Sequence, residues 1–159
     1  GKLIKVFGGA VAADGGFTTA EPSVAQKAEI NKDEKTAIAR YAASLIERDD
    51  FVYLDAGTTE AVVGNQAILS LQKLHFSKAF LGTNGVGLKA GFSTPDYSEA
   101  LVKQTAVEQA RQVFVLADYS KFGNVSSVTF ASLERGVILT DRRPPESFGA
   151  VRNIKVVGE

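Results

Sequence analysis

Phe51-Val-Tyr-Leu-Asp55-Ala-Gly57-Thr58-Thr59 is the stretch whose reading decides the fold. Its four leading apolar and aromatic residues predict a short buried strand. That strand runs directly into a carboxylate, a glycine and two hydroxyls. Glycine permits a sharp turn and a close backbone approach to a ligand, and free N–H groups beside two hydroxyls suit an anion such as phosphate. An ordinary strand-end turn uses the same residue types, and motifs this short recur by chance. The rest of the chain therefore has to decide between them.

Upstream, Ile38, Ala42, Leu45 and Ile46 repeat at helical spacing and predict a helix from about Asp33 to Arg48, with Asn31 and Glu34 as a loose capping box. Before it, Leu3–Phe7 reads as a short strand ended by Gly8-Gly9, and 10–30 as an extended crossing segment. Downstream, Glu60–Val63 reads as a strand end and Asn65–Leu74 as a short helix with Ala67, Ile68 and Leu71 on one side. Ser77–Leu81 is a second strand, broken by Gly82-Thr83-Asn84-Gly85. Gly91-Phe-Ser-Thr94 leads to a helix reaching about Ala110, with Thr94 as cap, Pro95 at the first helical position and Asp96 in the first turn. Gln112–Ala117 and Gly136–Leu139 are further apolar strands, and Ile154–Val157 a closing edge strand. Short continuous apolar strands alternating with helices predict an α/β fold, a mostly parallel sheet with helices on both faces. In such sheets the loops at the carboxyl ends of the strands collect the ligand. All four core strands end in loops rich in Gly, Asp, Asn, Thr, Ser or Lys.

Composition narrows the function. The 159 residues suit one domain with its own core. Eighteen basic residues balance 18 acidic ones, which argues against a nucleic-acid-binding surface. Cysteine is absent, so disulfides, thiolate catalysis and Cys-ligated zinc are excluded. His75, the only histidine, has no partners that would make it catalytic or a metal ligand. No apolar run approaches the roughly 20 residues of a membrane span, and no signal-peptide core follows Gly1. A cytoplasmic protein without cofactor or metal is expected. Methionine is missing even at position 1, as in a fragment.

Two further groups carry chemistry. In the loop Asp118 to Gly123, Ser120 and Lys121 can place a hydroxyl and an ammonium on one phosphate, although a solvated turn with an exposed lysine has the same sequence. Glu99 and Lys103 stand four apart on the helix after Thr94; they are either an exposed ion pair worth a few tenths of a kcal/mol or a carboxylate and an ammonium facing a sugar. Tyr97 and Tyr119 read as core or pocket wall.

Asp33-Glu-Lys-Thr-Ala-Ile-Ala39, Leu54-Asp-Ala-Gly-Thr-Thr59, Phe76-Ser-Lys-Ala-Phe-Leu-Gly82, Gly91-Phe-Ser-Thr-Pro95, Glu99-Ala-Leu-Val-Lys103, Leu116-Ala-Asp-Tyr-Ser-Lys-Phe-Gly123 and Ile138-Leu-Thr-Asp141 together resemble the C-terminal effector-sensing domain of the DeoR family of bacterial transcriptional repressors. The ordered set spans nearly the whole chain and is far more specific than any single motif. Residues 1–11 resemble the end of the winged helix-turn-helix that precedes this domain, leaving 12–159 as the sensing domain. The resemblance implies a fold similar to ribose-5-phosphate isomerase and the CoA transferases. By the same resemblance Gly57, Thr58 and Thr59, beside Asp55, would cradle a phosphate and Lys121, after Asp118, would add its charge. Thr83, Asn84 and Gly85 would line the sugar, and Glu99 and Lys103 would close the site. The isomerase carries carboxylates in the loop matching Gly82–Gly85, and here none remain. Enediol chemistry needs a positioned base; Glu99 could serve, with Lys89 near where a lysine would be sought, but binding without turnover is expected. The implied function is a sugar-phosphate sensor in a homo-oligomeric repressor of sugar metabolism, resembling lactose phosphotransferase regulators, with DNA bound through an absent N-terminal domain. The competing reading is a sugar-phosphate isomerase or related acyl-transfer enzyme. One departure stands out. Family members place two helices and two strands between the Asp-x-Gly-Thr-Thr loop and the segment like Ala61-Val-Val-Gly64, so residues are expected to be missing between 59 and 60.

Overall fold

The computed structural model describes residues 31–55 and 65–158, with backbone alone at 65 and 66, and the backbone of residues 3–6 and 9–12. Gly57, Thr58 and Thr59, the strand end expected at 60–63 and the junction of residues 59 and 60 lie outside the described residues.

The element order is β1 (Leu3–Val6), β2 (Gly9–Ala12), α1 (Lys32–Ser44), β3 (Val52–Leu54), α2 (Asn65–Leu71), β4 (Phe76–Gly82), β5 (Gly85–Gly87), β6 (Gly91–Thr94), α3 (Tyr97–Gln109), β7 (Ala110–Leu116), β8 (Val128–Ala131), β9 (Val137–Thr140) and β10 (Ile154–Val156). Five strands form a wholly parallel sheet in the order β10-β9-β7-β4-β3. Successive side chains on a strand point to opposite faces, and β7 uses both. Phe114 and Leu116 join Phe80, Leu139 and Val52 against Ile38 and Ala42 of α1. Val113 and Val115 join Ala79, Leu81 and Ile138 against Ala100, Ala106 and Val107 of α3. The sheet is thus covered on both faces, which is why its central strands read as continuous apolar runs. The predicted α/β architecture is the one observed.

Several local expectations change. The Phe51 strand is not buried. In the described sheet β3 is the terminal strand, and with no neighbour on its outer side Phe51 and Leu54 are 52% and 62% exposed. Residues 9–12 do not belong to an extended segment but pair antiparallel with β1 as a hairpin. Helix α1 stops at Ser44, not Arg48, and Asn31 does not cap it: its backbone is left-handed and its side chain makes no bond to the helix. Gly91–Thr94 is a strand of a small antiparallel sheet, β5-β6-β8, that sequence patterning misses. Thr94 is buried at the end of that strand, so the cap of α3 falls to Asp96, whose carboxylate accepts the Glu99 N–H at 2.7 Å.

Candidate functional site

Because β3, β4, β7 and β9 are parallel, the chain leaves all four at one edge. Leu54 lies opposite Phe80, Gly82 opposite Leu116, and Leu116 opposite Leu139, so the exits at Asp55, Thr83, Asp118 and Asp141 form a row. At this edge α3 lays its Glu99–Lys103 face.

Lys103 is the centre of the arrangement. It is only 2% exposed, so the pair is not the solvated surface pair that its spacing allows. Its ammonium donates to the Asp55 carboxylate and to the Gly82 carbonyl at 3.2 Å, and it pairs with Glu99 Oε1 at 3.0 Å. Two carboxylates and a carbonyl around one ammonium supply the compensation that makes its burial tolerable. The Phe130 ring lies beneath, its centroid 5.8 Å from Nζ. Asp55 in turn accepts the Gly82 N–H at 3.0 Å, so the end of β3 and the end of β4 are bound together. Glu99 keeps 31% of its side chain in solvent and is the open carboxylate of the trio.

The loop after β4 is held equally firmly. Thr83 donates its hydroxyl to the Gly85 carbonyl at 2.9 Å or the Ser93 carbonyl at 3.1 Å, and Asn84 Oδ1 accepts from Thr94 at 3.3 Å. Gly85 is needed for close approach: a Cβ there would stand 2.4 Å from the Asn124 carbonyl. With the Gly123 N–H donated to Val86 at 2.9 Å, β5 fastens the loop after β4 to the loop after β7. In that second loop Asp118 is buried, and its Oδ1 accepts from the Ser120 N–H at 3.0 Å, from the Ser120 hydroxyl and from Asn31 Nδ2 at 3.1 Å. Lys121 closes the single 3-10 turn Tyr119–Lys121, half-buried and without an ion pair among the described residues.

Of the expected site residues, Asp55, Thr83, Asn84, Gly85, Glu99 and Lys103 come together, and Asp118 and Lys121 occupy the adjoining loop. Lys89 does not approach them. It is exposed in the β5–β6 turn and lines a cleft of about 550 Å³ with Arg152 and Asn153, at the opposite edge of the sheet. Tyr97 and Tyr119 are exposed, not core. Sequence reasoning missed Tyr53, whose phenol burial, together with the negative charges of Asp55 and Glu99, pushes up to about 12. Its signal was its position two residues before Asp55, on the same side of the strand. Asp141, which accepts the Tyr119 N–H at 2.7 Å, was also missed; burial raises its carboxyl, but the Arg142 guanidinium and that N–H outweigh it and hold it below the usual range. No His, Asp and Glu cluster among the described residues is suited to a metal ion. Among the described helices none is long and apolar enough to cross a membrane.

Chemically the edge offers hydroxyl-accepting carboxylates, a cation on the neighbouring loop and backbone turns between them. Asp55 is tied up by Lys103 and Gly82, and the loop after β4 carries no second acid that could exchange protons with Glu99.

Residues 58–142 match the family described as the DeoR C terminal sensor domain. The chain is 35% identical over 165 residues to the HTH-type transcriptional regulator FruR of Bacillus subtilis (strain 168), covering 76% of this chain and 66% of that one. It is 40% identical over 137 residues to the HTH-type transcriptional regulator GlpR of Haloferax volcanii, covering 80% of this chain and 52% of that one. The lactose phosphotransferase system repressor of Staphylococcus aureus (strain N315) is 28% identical over 206 residues, with 99% of this chain and 81% of that one covered. That alignment exceeds the 159 residues present by 47, so at least that many positions of the relative have no counterpart here. The chain therefore spans about half to two thirds of the first two relatives, and all three are named as regulators, not enzymes. By its residues 58–142, the chain belongs to the DeoR C-terminal sensor domain family.

Proposed function

We propose that this domain binds a phosphorylated sugar at the carboxyl edge of its parallel sheet and thereby controls DNA binding by an N-terminal helix-turn-helix domain. The observation that carries this reading is the buried Lys103 held by Asp55, Glu99 and Gly82 where four strand-end loops gather. Such a polar cluster needs full compensation to be stable in a core, and strand carboxyl ends are where α/β sheets take their ligands. Glu99, the open carboxylate, accepts sugar hydroxyls. Lys121 supplies charge to the phosphate, whose remaining cradle is Gly57, Thr58 and Thr59. Because Asp55 is neutralised and Glu99 has no acid partner across the site, the sugar is held and not isomerised. Binding shifts the population of DNA-binding-competent states through its preference for one of them.

Within the same reading, residues 1–11 end a winged helix-turn-helix, residues 12–159 form the sensing domain, and a stretch between residues 59 and 60 of the natural protein is missing from this sequence. The functional protein is a cytoplasmic homo-oligomer. Calorimetric titration with ribose 5-phosphate, glucose 6-phosphate and fructose 6-phosphate, each followed by analysis of the sugar recovered, tests the proposal. Saturable heat with unchanged sugar is expected for at least one of them. Steady conversion would make the protein an isomerase, and absence of heat with all three would remove the sensing role.

A further inference from the structure

The first turn of α1 reaches across the molecule to the loop that bears Lys121, and resting on the effector reading above, we propose that Asn31 and Glu34 are positioning residues that couple occupancy of that loop to α1. Asn31 is the single non-glycine residue at positive φ among the described residues (φ 55°). Asparagine tolerates that conformation better than most residues, yet it costs free energy unless the surroundings hold it. What holds it is distant in sequence. The Asn31 amide, making no bond to its own helix, donates to Asp118 Oδ1 at 3.1 Å and reaches Ser120 Oγ at 3.5 Å.

A second strut stands one turn on. Glu34 Oε1 pairs with Arg142 Nη2 at 3.2 Å, and Arg142 Nε pairs with Asp141 Oδ2 at 2.6 Å. Asp141 Oδ1 accepts the Tyr119 N–H at 2.7 Å, and the Arg142 guanidinium lies 5.6 Å from the Tyr119 ring centroid. The first turn of α1 thus grips the Asp118–Lys121 turn at Asp118 and, through Arg142, at Tyr119. Further along, Ile38 and Ala42 are buried on Phe80 and Leu139.

The sign of the coupling follows from the shared acceptor. Asp118 Oδ1 receives three donors: the Ser120 N–H, the Ser120 hydroxyl and the Asn31 amide. A phosphate seated by Ser120 and Lys121 draws on the Ser120 hydroxyl and puts like charge beside Asp118, so the Asn31 donor becomes more valuable. Ligand and latch therefore strengthen one another, and linkage makes the effect reciprocal.

Hydrogen exchange of the whole chain, read at the α1 amides from Lys35 onward (Lys35 N–H is bonded to the Asn31 carbonyl at 3.0 Å), tests this with ribose 5-phosphate, fructose 6-phosphate and inorganic phosphate as probes. Exchange in the first turn should slow with whichever probe binds by calorimetry, while the Ile38–Ala42 region stays unchanged. Asn31→Gly keeps the left-handed backbone at lower cost and should lower affinity by about fivefold and abolish the exchange response. Glu34→Gln, which leaves Asn31 in place, should halve the response. If a probe binds the wild type and the first turn is silent, or if Asn31→Gly binds as tightly as wild type, the coupling is refuted and the effector site stands. If the wild type binds none of the probes, the effector reading falls and the coupling with it.

Discussion

Two buried lysines, Lys78 and Lys103, sit on opposite edges of the same sheet and do different work. Near the amino end of β4, Lys78 donates to Asp50 Oδ2 at 2.5 Å, and Asp50 also accepts the Ser77 hydroxyl at 2.7 Å and the Glu47 N–H at 2.7 Å. That network closes on itself: each partner comes from the turn before β3 or from the start of β4, and Glu47, the outer acid at 3.8 Å, is 86% exposed. At the carboxyl edge, Lys103 gathers one acid from β3, one from its own helix and a carbonyl from β4, and leaves Glu99 partly open beside the loops of β4 and β7. The first arrangement locks a turn. The second stores polar groups at the mouth of the fold, at an energetic cost that a purely structural site could avoid with apolar residues.

The comparison can be broken by substitution. Lys103→Ala should have the largest effect, because Asp55 and Glu99 would be left without their cation: a loss of about 3–5 kcal/mol, read by chemical denaturation. Lys78→Ala should cost less, about 1–3 kcal/mol, since Asp50 retains the Ser77 and Glu47 donors. The acid limb of the stability curve sharpens the assignment. The Lys78 hydrogen bond, with those two donors, lowers Asp50 from 3.8 to about 2. A depressed carboxyl stabilises the fold above its unfolded value and loses that contribution as pH falls through the folded one, so stability should drop between pH 3.8 and about 2. In Lys78→Ala that limb should be shallower. On the alkaline side Tyr53 is raised from 10.0 to about 12; the unfolded phenol ionises first, so stability should fall as pH rises across that interval, and Tyr53→Phe should flatten it. Glu99→Gln should disturb folding least, by under about 1 kcal/mol, while lowering sugar-phosphate affinity, which calorimetry would detect.

Much of this was legible in the sequence. The segments 77–81, 112–117 and 136–139 read as strands of a mostly parallel sheet, and parallel strands bring their polar ends to one edge. The Glu99–Lys103 spacing was visible too. Whether that pair faced solvent or core was not, because it depends on how α3 lies on β4, a tertiary fact. The same holds for β3: its composition is that of a buried strand, and only its place in the sheet leaves Leu54 in solvent. Strands β5, β6 and β8 escaped notice because three or four residues, with glycines in β5 and β6, carry no periodic signal. Thr94 and Asn31 are good capping residues, but in the folded protein Asn84 and Asp118 compete for their side chains.

The most direct test of the carboxyl-edge site is the affinity of Lys121→Ala for whichever sugar phosphate the wild type binds, measured by calorimetry beside Lys89→Ala at the opposite edge. Loss of a charge-assisted contact should weaken Lys121→Ala by about tenfold or more and leave Lys89→Ala at the wild-type value. Equal affinity of Lys121→Ala and wild type, or a loss confined to Lys89→Ala, would contradict the account.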